Sequence, residues 1–191
     1  MTLQTRTSTL CLVTLALGTS VVVGSAQSRP SEHEQFWANL TALCGKAYEG
    51  KGIEAPPGNT TYVDKRLVMH VRRCEADVVY IPFHVGENRS RTWVISRTNR
   101  GLLLKHDHRH EDGTEDAVTQ YGGHTINAGT TVRQDFPTDN PSGAPTIWFL
   151  ELVPGKVFAY GLRREGTDRR FRMEFDLSRE VPAPPVPWGH K

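Results

Sequence analysis

Cysteine is scarce in this chain, long apolar runs are absent after the first two dozen residues, and neither sign of charge dominates. Each shortage removes a class of function. The 23 Lys and Arg against 21 Asp and Glu give a net charge of +2, too even a balance for a protein built to hold nucleic acid or an anionic membrane. The Gly-x-Ser-x-Gly elbow of hydrolases is missing, as are a phosphate-cradling loop and a dinucleotide fingerprint. No segment after the N-terminal region carries the ~20 consecutive apolar residues that a membrane-spanning helix needs.

The one apolar run lies at the start. Leu10 to Val23 spans 14 residues behind Arg6, and Gly24-Ser25-Ala26 follows. This is the plan of a cleaved secretory peptide, positive then apolar then small. Residues 1–26 are therefore expected to be removed near Ala26, placing the mature protein in the periplasm or outside the cell, with no transmembrane anchor. About 165 residues remain, the size of one domain. Of the 3 cysteines, Cys11 leaves with the leader. Cys44 and Cys74 are then expected to form a disulfide in an oxidising compartment. Closing a loop of that length stabilises a fold by roughly 3–4 kcal/mol in the chain-entropy model.

The mature chain reads as mostly β. One helix opens it: Phe36, Trp37, Leu40, Leu43 and Ala47 recur at three- and four-residue steps, and Ser31 with Glu34 forms a capping box. Residues 51–61, rich in Gly, Pro, Asn and Thr, read as loop. Alternation predicts strands over Leu67–Arg73, Val78–Val85, Arg91–Thr98, Leu102–His110, Thr130–Phe136, Thr146–Val153, Lys156–Arg164 and Arg169–Leu177. The connections are short and contain glycine, as hairpins do. Eight or nine such strands with one helix predict an antiparallel up-and-down β-barrel of lipocalin-like architecture over residues 27–180, able to hold one small ligand. A cupin-like β-sandwich is the second choice. Residues 181–191 form a proline-rich tail, expected to run extended and to dock through Trp188.

Histidine supplies the candidate site. In Leu102-Leu-Leu-Lys-His106-Asp-His108-Arg-His110, strand alternation puts Leu102, Leu104 and the three imidazoles on one face. Imidazole is the commonest metal ligand. The outer two histidines stand about 13 Å apart at ~3.3 Å per residue, so one ion would take two of them plus a residue from elsewhere, with His84, His124 and His70 available. The candidate metal set is His106, His108, His110 and His84, holding Zn²⁺, or Cu²⁺ or Fe²⁺, with Asp107 as a hydrogen-bond acceptor behind an imidazole. The competing reading is a solvated strand end. The glycines of Tyr121-Gly122-Gly123-His124 allow either a close backbone approach or a barrel corner. Tyr121 and His124 are accordingly candidate ligand-binding residues. Arg163, Arg164, Arg169, Arg170 and Arg172 flank one turn and are candidates for an anion patch, with Arg170 and Arg172 as its ligand-binding residues, or else they pair with Glu165, Asp168 and Glu174. Trp93, Trp148, Phe158 and Tyr160 read as core, or as the lining of a ligand-holding barrel. Asn39, Asn59 and Asn88 open glycosylation sequons.

The blocks Phe36-Trp37-x-x-Leu40-x-x-Leu43-Cys44-Gly45, Arg91-Thr92-Trp93, Leu104-Lys105-His106-Asp107-His108-Arg109-His110, Tyr121-Gly122-Gly123 and Phe175-Asp176-Leu177 resemble those of a family of uncharacterised secreted bacterial proteins, over nearly the whole mature chain. The resemblance implies export and a bacterial source and carries no activity with it. Three functions are open on these residues: a barrel that binds a small molecule or divalent metal near the histidines, an enzyme that activates a metal-bound water there, or a non-catalytic envelope interaction protein.

Overall fold

The helix starts on a capping box and leads into a turn that needs glycine. A computed structural model describes residues 31–62, 64–139 and 143–190; the expected leader lies outside them. Helix α1 covers Glu32–Thr41, with Ser31 Oγ accepting from the Glu34 N–H and the Glu34 carboxylate accepting from the Ser31 N–H. Gly45 follows at φ +83° and donates its N–H to the Val71 carbonyl at 2.8 Å. The turn over residues 42–45 that follows the helix closes on this left-handed glycine. The apolar periodicity continued through Ala47, but Ala47 opens a strand, β1 (Ala47–Glu54). Part of the expected loop at 51–61 is thus strand. Its glycines hid it: Gly50 is required because a Cβ there would strike the Phe175 ring and the Glu174 carbonyl.

Nine of the other strands follow the chain: β2 (Leu67–His70), β4 (Val78–Val85), β5 (Asn88–Thr98), β6 (Gly101–His108), β7 (Tyr121–His124), β8 (Arg133–Pro137), β9 (Thr146–Val153), β10 (Val157–Arg164) and β11 (Arg170–Val181). The short β3 (Arg73–Cys74) pairs only with β4. All pairings are antiparallel, and spatial neighbours are chain neighbours, with β1 joining β11. This is an up-and-down order in one sheet, not the two facing sheets of the cupin-like alternative. The ring nearly closes between β7 and β8, where the Asp139 N–H donates to the Gly122 carbonyl at 3.0 Å. A Cβ on Gly123 would collide with the Pro137 carbonyl, so the second glycine of the pair lets these edges meet.

Inside the ring, Leu67, Met69, Ile81, Phe83, Trp93, Ile95, Leu104, Leu150, Phe158, Met173 and Phe175 form one buried cluster, which α1 joins through Phe36, Trp37 and Leu40. His33 Nε2 lies 3.1 Å from the Asn127 carbonyl, and the His33 ring presses on Gly101. The helix therefore plugs the end of the barrel that holds the β5–β6 turn. Cys44 and Cys74 are joined in a disulfide with their Cα atoms 6.2 Å apart, tying the end of α1 to β3. After β11 the chain crosses the outer face of the barrel. The Arg89 guanidinium donates to the Val186 carbonyl, and the Trp188 N–H to the Arg89 carbonyl. Among the described residues, no helix is long and apolar enough to cross a membrane.

Candidate functional site

The parity of β5 and β6 decides what reaches the interior. Trp93 pairs with His106 and Arg91 with His108, so these four share the inner face with Ile95 and Leu104. His106 is 1% exposed. Its Nδ1 is 3.1 Å from the Tyr121 carbonyl and its Nε2 2.7 Å from the Tyr160 hydroxyl. A carbonyl only accepts, so Nδ1 carries the proton and Nε2 accepts from Tyr160. Burial then holds the imidazole neutral, pushing its pKa down to about 3. The His106 ring stacks on Tyr121, centroids 4.5 Å apart and planes 10° from parallel, and meets Trp148 at 4.4 Å. Trp93 stacks on Tyr160 at 4.2 Å.

Above these rings lies a cavity of about 270 Å³, at the end of the barrel opposite α1. Trp93, His106, Trp148 and Tyr160 form its floor, while Tyr62, Arg91, His108, Tyr121 and Arg169 surround its mouth. The Tyr121 hydroxyl is 3.1 Å from His108 Nε2. Burial lowers the His108 pKa, and the Arg91 charge lowers it further. Burial also raises the phenols: Tyr121 to about 12, and Tyr160 well above its ordinary value. Among the described residues, no Asp, Glu, Ser or Cys lines this cavity.

Of the residues singled out in the sequence, His106, His108 and Tyr121 come together here. The others do not join them. β6 ends at His108, and His110 is exposed in the turn beyond. His84 points to the outer face of β4, where Val68, Pro184 and Pro185 enclose it. His124 pairs with Leu103, on the outward parity of β7, with Nδ1 3.9 Å from Asp139. Asp107 also faces outward and is 4% exposed; it accepts from Arg109 and Gln120. Arg172 lies on the outer face of β11, bonded to Glu151 and Glu174, and Arg170 is exposed on the same parity. Among the described residues, no three His, Cys, Asp or Glu side chains gather as a metal site.

Arg91 and Arg169 are the cations at the mouth; Arg169 belongs to the arginine cluster expected as an anion patch, whereas sequence reasoning passed over Arg91. Arg91 carried a signal, since it shares parity with Trp93. Arg169 sits one residue outside β11, where alternation has no hold. No protein-family model, curated protein or solved structure matches the chain.

Proposed function

We propose that this is an exported binding barrel that holds one small, flat organic molecule in its open end, beside His106 and His108. The observation that carries the reading is the cavity itself: about 270 Å³ walled by aromatic rings and open to solvent. That volume lies just below the usual range for small-molecule sites, about 300–1,000 Å³, and suits a molecule of one or two rings. Stacked or edge-on aromatic contacts add about 0.5–1.5 kcal/mol each beyond the area they bury. A lining without carboxylate, Ser or Cys among the described residues, and phenols held far above neutrality, favour binding over hydrolysis. The Cys44–Cys74 disulfide supports an oxidising compartment, and residues 1–26 supply the export signal in this reading.

A divalent ion is the competing occupant. To ligate it, His106 would have to release Tyr160 or the Tyr121 carbonyl, which leaves His108 as the accessible imidazole. One NMR titration separates the two. Naphthalene-2-methanol, a neutral two-ring probe, should shift the ring resonances of Trp148, Tyr121 and His106. Thr61→Trp, at an exposed position on the cavity rim, should block the shift without unfolding the protein. Zn²⁺ in place of the probe should leave the His108 ring unmoved. Silence with the probe at millimolar concentration, or tight Zn²⁺ binding lost in His108→Ala, would overturn the proposal.

A further inference from the structure

The mouth of the cavity carries two guanidinium groups, Arg91 and Arg169. Arg91 holds its guanidinium against neutral acceptors, Asn88 Oδ1 at 3.0 Å and Ser90 Oγ at 3.2 Å. Neither Arg91 nor Arg169 forms an ion pair among the described residues. Arg109, Arg163 and Arg172, which lie outside the cavity, do: Arg109 with Asp107 and Glu115, Arg163 with Asp135, Arg172 with Glu151 and Glu174. Among the described residues, the cavity lining contains two arginines and no carboxylate. The nearest acidic influence on His108 comes from Asp116 and Asp107, neither of which lines the cavity. Both guanidinium charges act on the same two phenols, Tyr62 and Tyr121, pulling them down against the effect of burial. The two cations therefore converge on one mouth, from β5 and from the β10–β11 turn.

We infer that the ligand is an organic anion, an aromatic carboxylate in its simplest form, with its ring among Trp93, Tyr121 and Trp148 and its charged end held between Arg91 and Arg169. This rests on the binding-barrel reading and adds the chemical class. Guanidinium groups bind carboxylates through paired, charge-assisted hydrogen bonds. With no carboxylate among the described lining residues, an anion would compete for Arg91 only with the neutral oxygens of Asn88 and Ser90. A neutral ligand of the same shape would keep the ring contacts and forgo the charged ones. The difference expected is about ten- to a hundredfold in affinity.

Calorimetry with three isosteric probes tests the inference on the intact mature chain: naphthalene-2-carboxylate, naphthalene-2-methanol and 2-naphthylmethylammonium. The carboxylate should bind at least tenfold more tightly than the alcohol, and the ammonium most weakly. Raising NaCl from 50 to 500 mM should weaken the carboxylate selectively, because salt screens exposed charges. Arg91→Gln and Arg169→Gln should each narrow the ratio between carboxylate and alcohol affinity. The wild-type probe series decides the matter even if one of these variants folds poorly. Equal affinity for the three probes, or preference for the ammonium, overturns the anion assignment and leaves the binding barrel standing. Failure of all three to bind overturns both.

Discussion

The Tyr160 hydroxyl donates to His106 Nε2 at 2.7 Å across the barrel interior, joining β10 to β6, strands that are not neighbours in the sheet. Both side chains are buried, so each satisfies a polar atom that water does not reach. Tyr160→Phe should leave the imidazole acceptor unpartnered and cost about 1–3 kcal/mol. His106→Leu should strand the hydroxyl at a similar cost. Urea denaturation of the two single variants and the double variant measures the coupling. The double variant should lose less than the sum of the singles; strict additivity would mean that the bond contributes nothing.

Acid should unfold this protein through the same imidazole. The folded pKa of His106 is about 3 against an ordinary 6.5, so the unfolded chain binds the proton more readily. His84, enclosed on the outer face, is lowered to about 4, first by burial and then by Arg89. Both folded values lie below the unfolded one. Their contribution is therefore complete above pH 6.5 and is lost as pH falls towards 4 and 3. The slope per group reaches about 1.4 kcal/mol per pH unit. Urea midpoints taken between pH 7.5 and 4 should fall steadily, and His84→Gln and His106→Leu should each flatten the fall. A midpoint independent of pH in that interval contradicts the burial assigned to both rings.

Reduction of Cys44–Cys74 should weaken the fold without altering its topology. The bridge closes a loop with a sequence separation of 30, for which chain entropy predicts a loss of roughly 3–4 kcal/mol. Because it ties the end of α1 to β3, the helix should detach first. Hydrogen exchange in the double Cys→Ser variant should show early loss of protection at Phe36 to Leu40, while β9 and β10 keep theirs.

The elements most legible in the sequence were those whose local signals agreed. Ser31 and Glu34 marked the start of α1, and alternating apolar residues marked β4, β5, β9 and β10 closely. Alternation also put His106 and His108 on one face with Leu104. It could not say that Tyr160 and Trp148 would stand across from them, because that depends on curvature accumulated around the whole sheet. β1 was hidden by Gly50 and Gly52, residues that weaken strand propensity, although Gly50 is demanded by the pressure of Phe175. His84 and His124 lie on the outward parity of their strands, and a sequence does not reveal which parity a closed ring turns inward. Arg169 and Arg170 illustrate the same limit: one residue of difference at a strand end separates the mouth of the cavity from the outer wall.

Asp107 makes the C-terminal tail part of the barrel. Its carboxylate is almost fully buried on the outer face of β6, with Arg109 Nε at 2.9 Å, Gln120 Nε2 at 3.2 Å and His190 Nε2 also at 2.9 Å. The tail covers it, and Pro187 is buried at the crossing. Deleting residues 182–191 should expose this carboxylate and the Arg89 carbonyl and cost about 1–3 kcal/mol, the range for losing a buried polar partner. Asp107→Ala should cost at least as much in the full chain, since it leaves Arg109 with Glu115 as its remaining carboxylate. In the shortened chain, Asp107→Ala should cost less, because the contact with His190 is already gone. Differential scanning calorimetry of the four proteins reads the coupling, expected at about 0.5–3 kcal/mol. Probe binding in the cavity should be the same with and without the tail, which lies on the opposite side of the barrel wall. A tail deletion that leaves stability unchanged would show that the segment merely rests on the surface.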